Sequence, residues 1–373
     1  MVGTEWPRVG IVGPLPPPAG GMANQCEQLT RLLQAEGVQV VTVQSNQPYW
    51  PALVGSIPVV RAGWRLLFFV KMLWSALGRI DVLHVFANSG WSWYLVALPA
   101  VKLARWRGVA VIVNYRGGQA DDFFTDGPRH ILTMLARATL CITPSDYLRR
   151  VFEKHGLAAE VIPNIIDLSR FGPSDKRSIG AGPHLIVTRH LEPIYDISTA
   201  LRAFEKIRQR FPTAKLTVAG AGPERAALAQ LVIRLGIENA VSFPGQIDNA
   251  NIMELYSSAD CFLNSSTVDN MPISILEALA SGVPVVSTNA GGIPDLVKHG
   301  QTALLVPVGD HEAMANEVLR VLEDGATANQ LRAAGLAEVK RYAWSCVKPM
   351  WYEAYQRVSG IGVPMTTRPE NSL

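Results

Sequence analysis

The sequence predicts an α/β protein made of two doubly wound parallel-sheet domains. Three observations carry the prediction. Short apolar runs alternate with segments of helical period along almost the whole chain, the pattern of parallel strands joined by crossover helices. The alternation stops once, at the Gly/Pro/Ser-rich residues 168–182 (LSRFGPSDKRSIGAG), and then restarts. With 373 residues and 48% hydrophobic content, the chain can bury two cores.

In the first half, Arg8–Val12 reads as a buried strand and Gly13–Gly21 as a Pro/Gly-rich loop. A helix from Met22 to Glu36, closed by Gly37, leads into a strand at Val38–Val43. Gly10, Gly13, Gly20 and Gly21 do not make the G-x-G-x-x-G dinucleotide fingerprint, although such glycines let a backbone approach a ligand closely. Asp81–Phe86 and Val109–Val113 are further strands, the second running out into Asn114-Tyr115-Arg116-Gly117-Gly118. Ligands of open α/β sheets sit at the carboxyl ends of strands, so His84, Arg116 and the paired glycines are site candidates. Leu140–Thr143 is a strand followed by a Ser-capped helix, Asp146–His155.

The second half repeats the pattern. Strands at His184–Val187, Lys215–Ala219, Val241–Phe243, Cys261–Leu263, Val283–Val286 and Ala303–Val306 alternate with helices. Gly220-Ala-Gly222-Pro-Glu-Arg opens one of those helices, and Pro272 fits the first turn of another, where its missing N–H costs nothing. The boundaries predicted are a first domain over 1–170, a linker over 171–182 and a second domain over 183–341. A helix over 342–360 carries an apolar stripe of Val347, Met350, Trp351, Ala354 and Tyr355 that returns to the first domain, and 361–373 reads as a disordered tail.

Composition narrows the function. Cys26, Cys141, Cys261 and Cys346 are far apart, with no CxxC and no His cluster at metal spacing, which points to a reducing compartment and no structural zinc. The N-terminus lacks a signal pattern, and no apolar run reaches the roughly 18 residues of a membrane span. The net charge of +3 is small, and no nucleic-acid partner is expected. Between Glu36 and Asp81, however, there is no acidic residue, while Arg61, Arg65, Lys71 and Arg79 fall there among Trp64, Leu67, Phe68 and Met72. That segment suits an anionic membrane surface or an anionic acceptor.

The stretch Asn264–Asp295 (NSSTVDNMPISILEALASGVPVVSTNAGGIPD) resembles the acidic signature of the retaining glycosyltransferases of family 4. There, two acids flank seven other residues and an Ala-x-x-x-Gly-x-Pro-Val run follows. Pro144-Ser145, Ile162–Asp167 and the Gly220–Arg225 turn are also similar to segments of that family, and the resemblance spans Gly20 to about Val358. It implies the GT-B architecture, two Rossmann-like domains facing a cleft, and transfer of a hexose from a nucleoside diphosphate-sugar to a glycan or lipid-linked acceptor. It implies no resident metal or cofactor and a cytoplasmic enzyme, peripheral at the inner face of the membrane.

Residue by residue, the resemblance places Glu277 on the ribose hydroxyls of the donor and Asp269 beside the transferred sugar. Arg189 falls on the diphosphate. Gly20, Gly21, Gly222, Asn270, Met271 and Ile273 fall around the donor. Three places in the chain depart from the family pattern. Asp269 replaces a Glu, with Asn270-Met271-Pro272 in place of a Gly-rich triplet. Tyr195-Asp196 stands where a second cation, Lys, is usual. Arg116 stands where a His normally faces the sugar, while His84 matches an earlier family His, so both are catalytic candidates. These departures keep open a catalytically silent sugar-nucleotide-binding protein and a GT-B nucleotide-sugar epimerase; the missing G-x-G-x-x-G counts against a dinucleotide-dependent oxidoreductase.

Overall fold

The computed structural model describes residues 6–17, 20–47, 58–173, 182–248 and 251–360. The chain divides into two compact units. The first gathers the chain up to Pro144, Leu148–Pro163 and the chain from Val347; the second gathers Ser145–Tyr147 and Asn164–Cys346. Most of the predicted linker, 174–181, and the predicted tail, 361–373, lie outside the described residues.

The first unit is built on a six-stranded parallel sheet of β1 (Val9–Gly13), β2 (Val40–Gln44), β3 (Val82–Ala87), β4 (Ala110–Tyr115), β5 (Leu140–Thr143) and β6 (Glu160–Val161). Their order is β2-β1-β3-β4-β5-β6. The strand order reverses between β1 and β3, so the loops leaving those two strands diverge to opposite faces and open a crevice there. Every residue of β1 and β3 is buried, because helices cover both faces of the sheet. Helix Gly21–Ala35 packs on it through Ala23, Cys26, Leu29 and Leu33, one stripe at helical spacing.

The last helix, Trp344–Ser359, enters the first unit at Val347 and buries Val347, Trp351, Ala354 and Tyr355. Trp351 lies 4.7 Å from the His84 ring on β3, and Tyr352 meets Trp6 edge-on at 4.7 Å.

The second unit holds β7 (His184–Thr188), β8 (Lys215–Ala219), β9 (Val241–Gly245), β10 (Cys261–Asn264), β11 (Val285–Thr288) and β12 (Leu304–Val306). Their order is β12-β11-β10-β7-β8-β9. Counted from its own first strand this is 3-2-1-4-5-6 reversed end to end, the full Rossmann order, with its switch point between β7 and β10. Helices Ile197–Arg210 and His311–Glu323 bury Leu201, Phe204, Met314 and Val318 in one core layer. Helix Ile273–Ala280 buries Ile275, Leu276 and Leu279 in another. Asn164 Nδ2 donates to the Met271 carbonyl at 2.8 Å, and Ile166 bridges to Ala343. Residues 164–170 therefore belong with the second unit, not with the first as the sequence suggested.

Candidate active site

The second-unit candidates gather at the carboxyl ends of β7 and β10. Arg189 is the first residue after β7, and Asp269, Asn270 and Met271 lie on the loop between β10 and the helix beginning at Ile273. Glycines make this crowding feasible. A Cβ on Gly220 would overlap the Arg189 carbonyl, and one on Gly222 would overlap Leu191, so the turn after β8 lies directly against the turn after β7. Gly222 thus serves the site by close backbone packing. After β11, Gly291 (φ +53°) and Gly292 press on the Asp269 and Asn270 carbonyls, and the Gly292 N–H donates to Asp269 O at 2.7 Å.

Arg189 is the electrostatic centre of the cluster. Its guanidinium is ion-paired with Asp269, donates to Ser274 Oγ at 3.2 Å and has its central carbon over the Tyr195 ring, 4.1 Å from the ring centroid. Both ion-pair side chains are nearly buried, 11% exposed for Arg189 and 14% for Asp269. Its Nε–H is buried and makes no hydrogen bond among the described residues. Burial pushes the Asp269 carboxyl above the ordinary range, against the pull of Arg189. A buried donor on a fixed cation is suited to an anionic oxygen.

Glu277 lies on the helix that begins at Ile273. Tyr256 Oη, 2.8 Å from Glu277 Oε2, donates to it, and the Thr188 hydroxyl stands 2.7 Å from the same phenol. Burial raises the Glu277 carboxyl to about 7, opposed by the Tyr256 hydrogen bond and by the charges of Arg170 and Arg189. Pro272 is the N-cap of this helix rather than its first residue.

In the first unit, Gly20 caps helix Gly21–Ala35 in extended backbone, and Asn24 N–H donates to its carbonyl at 2.9 Å. Arg116 follows β4. Its N–H donates to Ala87 O at 2.9 Å, and its guanidinium stands 5.4 Å over Phe86 and 3.4 Å from Asn114 Oδ1. Burial lowers Arg116 to about 10. Nearby in the chain, Asp121 accepts from Lys154 at 2.7 Å and from His155 at 2.9 Å.

His84 must be corrected. It has no exposed surface, and its ring is flanked by Phe86 at 4.8 Å and Trp351 at 4.7 Å. Nδ1 pairs with Tyr355 Oη at 2.7 Å and Nε2 with Asn114 Nδ2 at 3.1 Å. With the Asn114 amide donating, Nε2 is an acceptor and the imidazole is neutral; burial lowers its pKa to about 3. It is a core histidine with both ring nitrogens engaged by protein groups.

Tyr256, Tyr195, Ser274 and the Gly291-Gly292 pair were not among the predicted site residues. No group of three His, Cys, Asp or Glu able to hold a metal ion occurs among the described residues.

Residues 19–170 match the family model described as Glycosyltransferase Family 4, and residues 175–337 the one described as Glycosyl transferases group 1. A phosphatidyl-myo-inositol mannosyltransferase of Mycolicibacterium smegmatis is 27% identical over 386 residues, 95% of either chain. An N-acetyl-alpha-D-glucosaminyl L-malate synthase of Bacillus anthracis is 37% identical over 141 residues, 38% of this chain and 35% of that one. Among solved structures, Anabaena HepE in complex with UDP and glucose superposes with a TM-score of 0.73 at 18% identity, covering 93% of this chain and 99% of that one. The sucrose-phosphate synthase of Thermosynechococcus elongatus does so at 0.75 and 21%, covering 95% and 99%. At these identities, the two structures establish the fold alone.

Proposed function

Since the chain belongs to the group 1, family 4 glycosyl transferases, we propose that it moves a hexose from a nucleoside diphosphate-sugar to a hydroxyl of a glycan or lipid-linked acceptor, with retention at the anomeric carbon. The observation that carries this is the placement of Arg189, Asp269 and Glu277 at the switch point of the second sheet. Arg189 meets the diphosphate, Glu277 the ribose hydroxyls, and Asp269 the sugar. The bond from the anomeric carbon to the diphosphate breaks, and its electron pair leaves with the phosphate. The acceptor oxygen bonds to the same face of that carbon, and its proton passes to the departing diphosphate. Positive charge grows on the sugar and negative charge on the leaving group, which a fixed cation and a nearby carboxylate stabilise. No resident metal is invoked, the leaving-group charge falling to Arg189.

The names of similar proteins favour this chemistry. One relative is named for phosphatidyl-myo-inositol, and HepE was solved with UDP and glucose. The test supplies UDP- and GDP-hexoses with lipid-linked and free glycan acceptors, then follows nucleoside diphosphate release and the anomeric configuration of the product. Acceptor-dependent release with a retained anomer is expected. Inversion would overturn the stereochemistry, and binding of nucleotide-sugar without turnover on any acceptor would favour a silent binding protein.

We further assign the face around helix Pro58–Leu77 to reversible contact with an anionic membrane. No helix among the described residues is long and apolar enough to cross one. Leu67 (71% exposed), Phe68 and Trp74 project from that helix, and Trp106 (75% exposed) lies 5.1 Å from Trp74. Arg107 stacks over Trp74 at 4.2 Å, and Lys71 and Arg65 are exposed beside them. Exposed Trp with interleaved cations suits a lipid interface with anionic headgroups. Sedimentation with anionic vesicles should exceed that with neutral ones, and should fall with added salt and in Trp74→Ala/Trp106→Ala. Equal binding to both vesicle types would refute the charge-dependent contact.

A further inference from the structure

Where the resembled family carries a second cation, this chain has Tyr195, and its placement is specific. We propose that Tyr195 is a positioning residue for the diphosphate-binding arginine: its ring face fixes the Arg189 guanidinium plane so that the unpaired Nε–H edge meets the phosphate. The proposal rests on the donor assignment above.

Two independent anchors hold the turn that carries the ring. Tyr195 closes a single turn of 3-10 helix, Pro193–Tyr195, and Asp196 next to it adopts a left-handed conformation (φ 39°) as N-cap of helix Ile197–Arg210. The Asp196 carboxylate accepts from the Ser198 and Thr199 hydroxyls, each at 2.6 Å, so the turn is fixed from its C-terminal side. From the other direction, Ser265 Oγ donates to Tyr195 O at 2.9 Å, and the Thr267 N–H and hydroxyl donate to Ile194 O at 2.8 and 3.0 Å. Ser265 and Thr267 belong to the same loop as Asp269. One loop therefore sets both the turn that carries the ring and the carboxylate with which the guanidinium pairs.

A guanidinium hydrogen-bonds in its plane and stacks perpendicular to it. Tyr195 stands over the guanidinium carbon, while Asp269, Ser266 and Ser274 accept from the Nη groups. The Nε–H is left as the in-plane donor without a hydrogen bond among the described residues. A phosphate oxygen approaching Nε is directed by the plane that the ring defines. A Lys in place of Tyr195 would add charge without such a plane. The phenol hydroxyl is not needed, since it is the ring that the guanidinium meets.

The test measures UDP, GDP, inorganic pyrophosphate and the parent nucleosides by calorimetry on the full chain. Tyr195→Phe should bind within about twofold of the parent. Tyr195→Leu, which keeps bulk but removes the aromatic face, should weaken the nucleoside diphosphate and pyrophosphate roughly tenfold, with nucleoside affinity unchanged. A role limited to core packing would lower the melting temperature without changing the diphosphate-to-nucleoside affinity ratio. In an Arg189→Lys background the loss from Tyr195→Leu should shrink, because an ammonium has no plane to orient. Parent-like diphosphate binding by a folded Tyr195→Leu, or equal loss in Tyr195→Phe, would overturn the positioning role alone. A parent that binds neither UDP nor GDP would overturn the donor assignment and this proposal together.

Discussion

Arg189→Ala is expected to weaken nucleoside diphosphate binding by two orders of magnitude or more and to lower thermal stability as well. The two effects have different origins. A charged hydrogen bond contributes about 1.5–3 kcal/mol, and a guanidinium can make two such bonds to phosphate. Loss of the cation therefore removes roughly a hundredfold or more in affinity. Stability falls because Asp269, nearly buried, loses its ion partner. Removing one member of a buried pair costs about 3–5 kcal/mol. The Asp269 carboxyl, already raised by burial, would move further up and bind a proton. Arg189→Ala/Asp269→Asn separates these origins: its melting temperature should recover while its affinity stays low. A single variant with parent-like affinity would remove Arg189 from the site.

The second large effect is on pH. Donor affinity should drop roughly tenfold between about pH 8 and pH 6, following the Glu277 carboxyl at about 7. Above that value the carboxylate is ionised and accepts from the ribose hydroxyls; below it, the proton removes acceptor capacity. The facing groups are Tyr256, Arg170 and Arg189, and each favours the ionised form less strongly than burial opposes it. Stability runs the other way. The folded-state pKa is raised above its ordinary 4.5, so the corresponding stabilisation is complete below about pH 4.5 and is lost as pH rises through about 7. Glu277→Gln should flatten the affinity profile and bind roughly ten- to a hundredfold more weakly at about pH 8. Parent affinity that is flat over this range would contradict a ribose-binding role for an ionised Glu277.

The fold was readable because strand period and punctuation are local properties. Among the described residues, eleven of the twelve strands overlap a predicted apolar run; the twelfth, the two-residue Glu160–Val161, was not predicted as a strand. Arg189 and Glu277 stood out as candidates for a related reason: one follows a strand, and the other sits in a spaced acidic pattern.

What escaped depends on contacts distant in sequence. Tyr256 belongs to no motif, and only the need to satisfy a buried Glu277 singles it out. Tyr195 was seen as an absent Lys, because stacking on Arg189 requires two turns to meet in space. His84 was misplaced because a strand-end position implies exposure only if nothing covers it, and Trp351 and Tyr355 arrive from the far end of the chain. The unmixed apolar neighbours of His84, Val82-Leu83 and Val85-Phe86, were the available sign of burial on both faces. The unit boundary moved because Asn164 is held by Met271, a contact no local composition reveals.

The return of the last helix to the first sheet also sets an order of assembly during biosynthesis. The ribosome releases all six strands of the first unit long before Val347 emerges, yet the His84 imidazole acquires its Tyr355 hydroxyl and its Trp351 cover only then. The unit synthesised first is the one completed last, after the second sheet has been translated in full. Until that moment the ring lacks that hydroxyl and that aromatic cover. A ribosome stalled anywhere between Pro163 and Cys346 would hold out a sheet that its own chain cannot yet close.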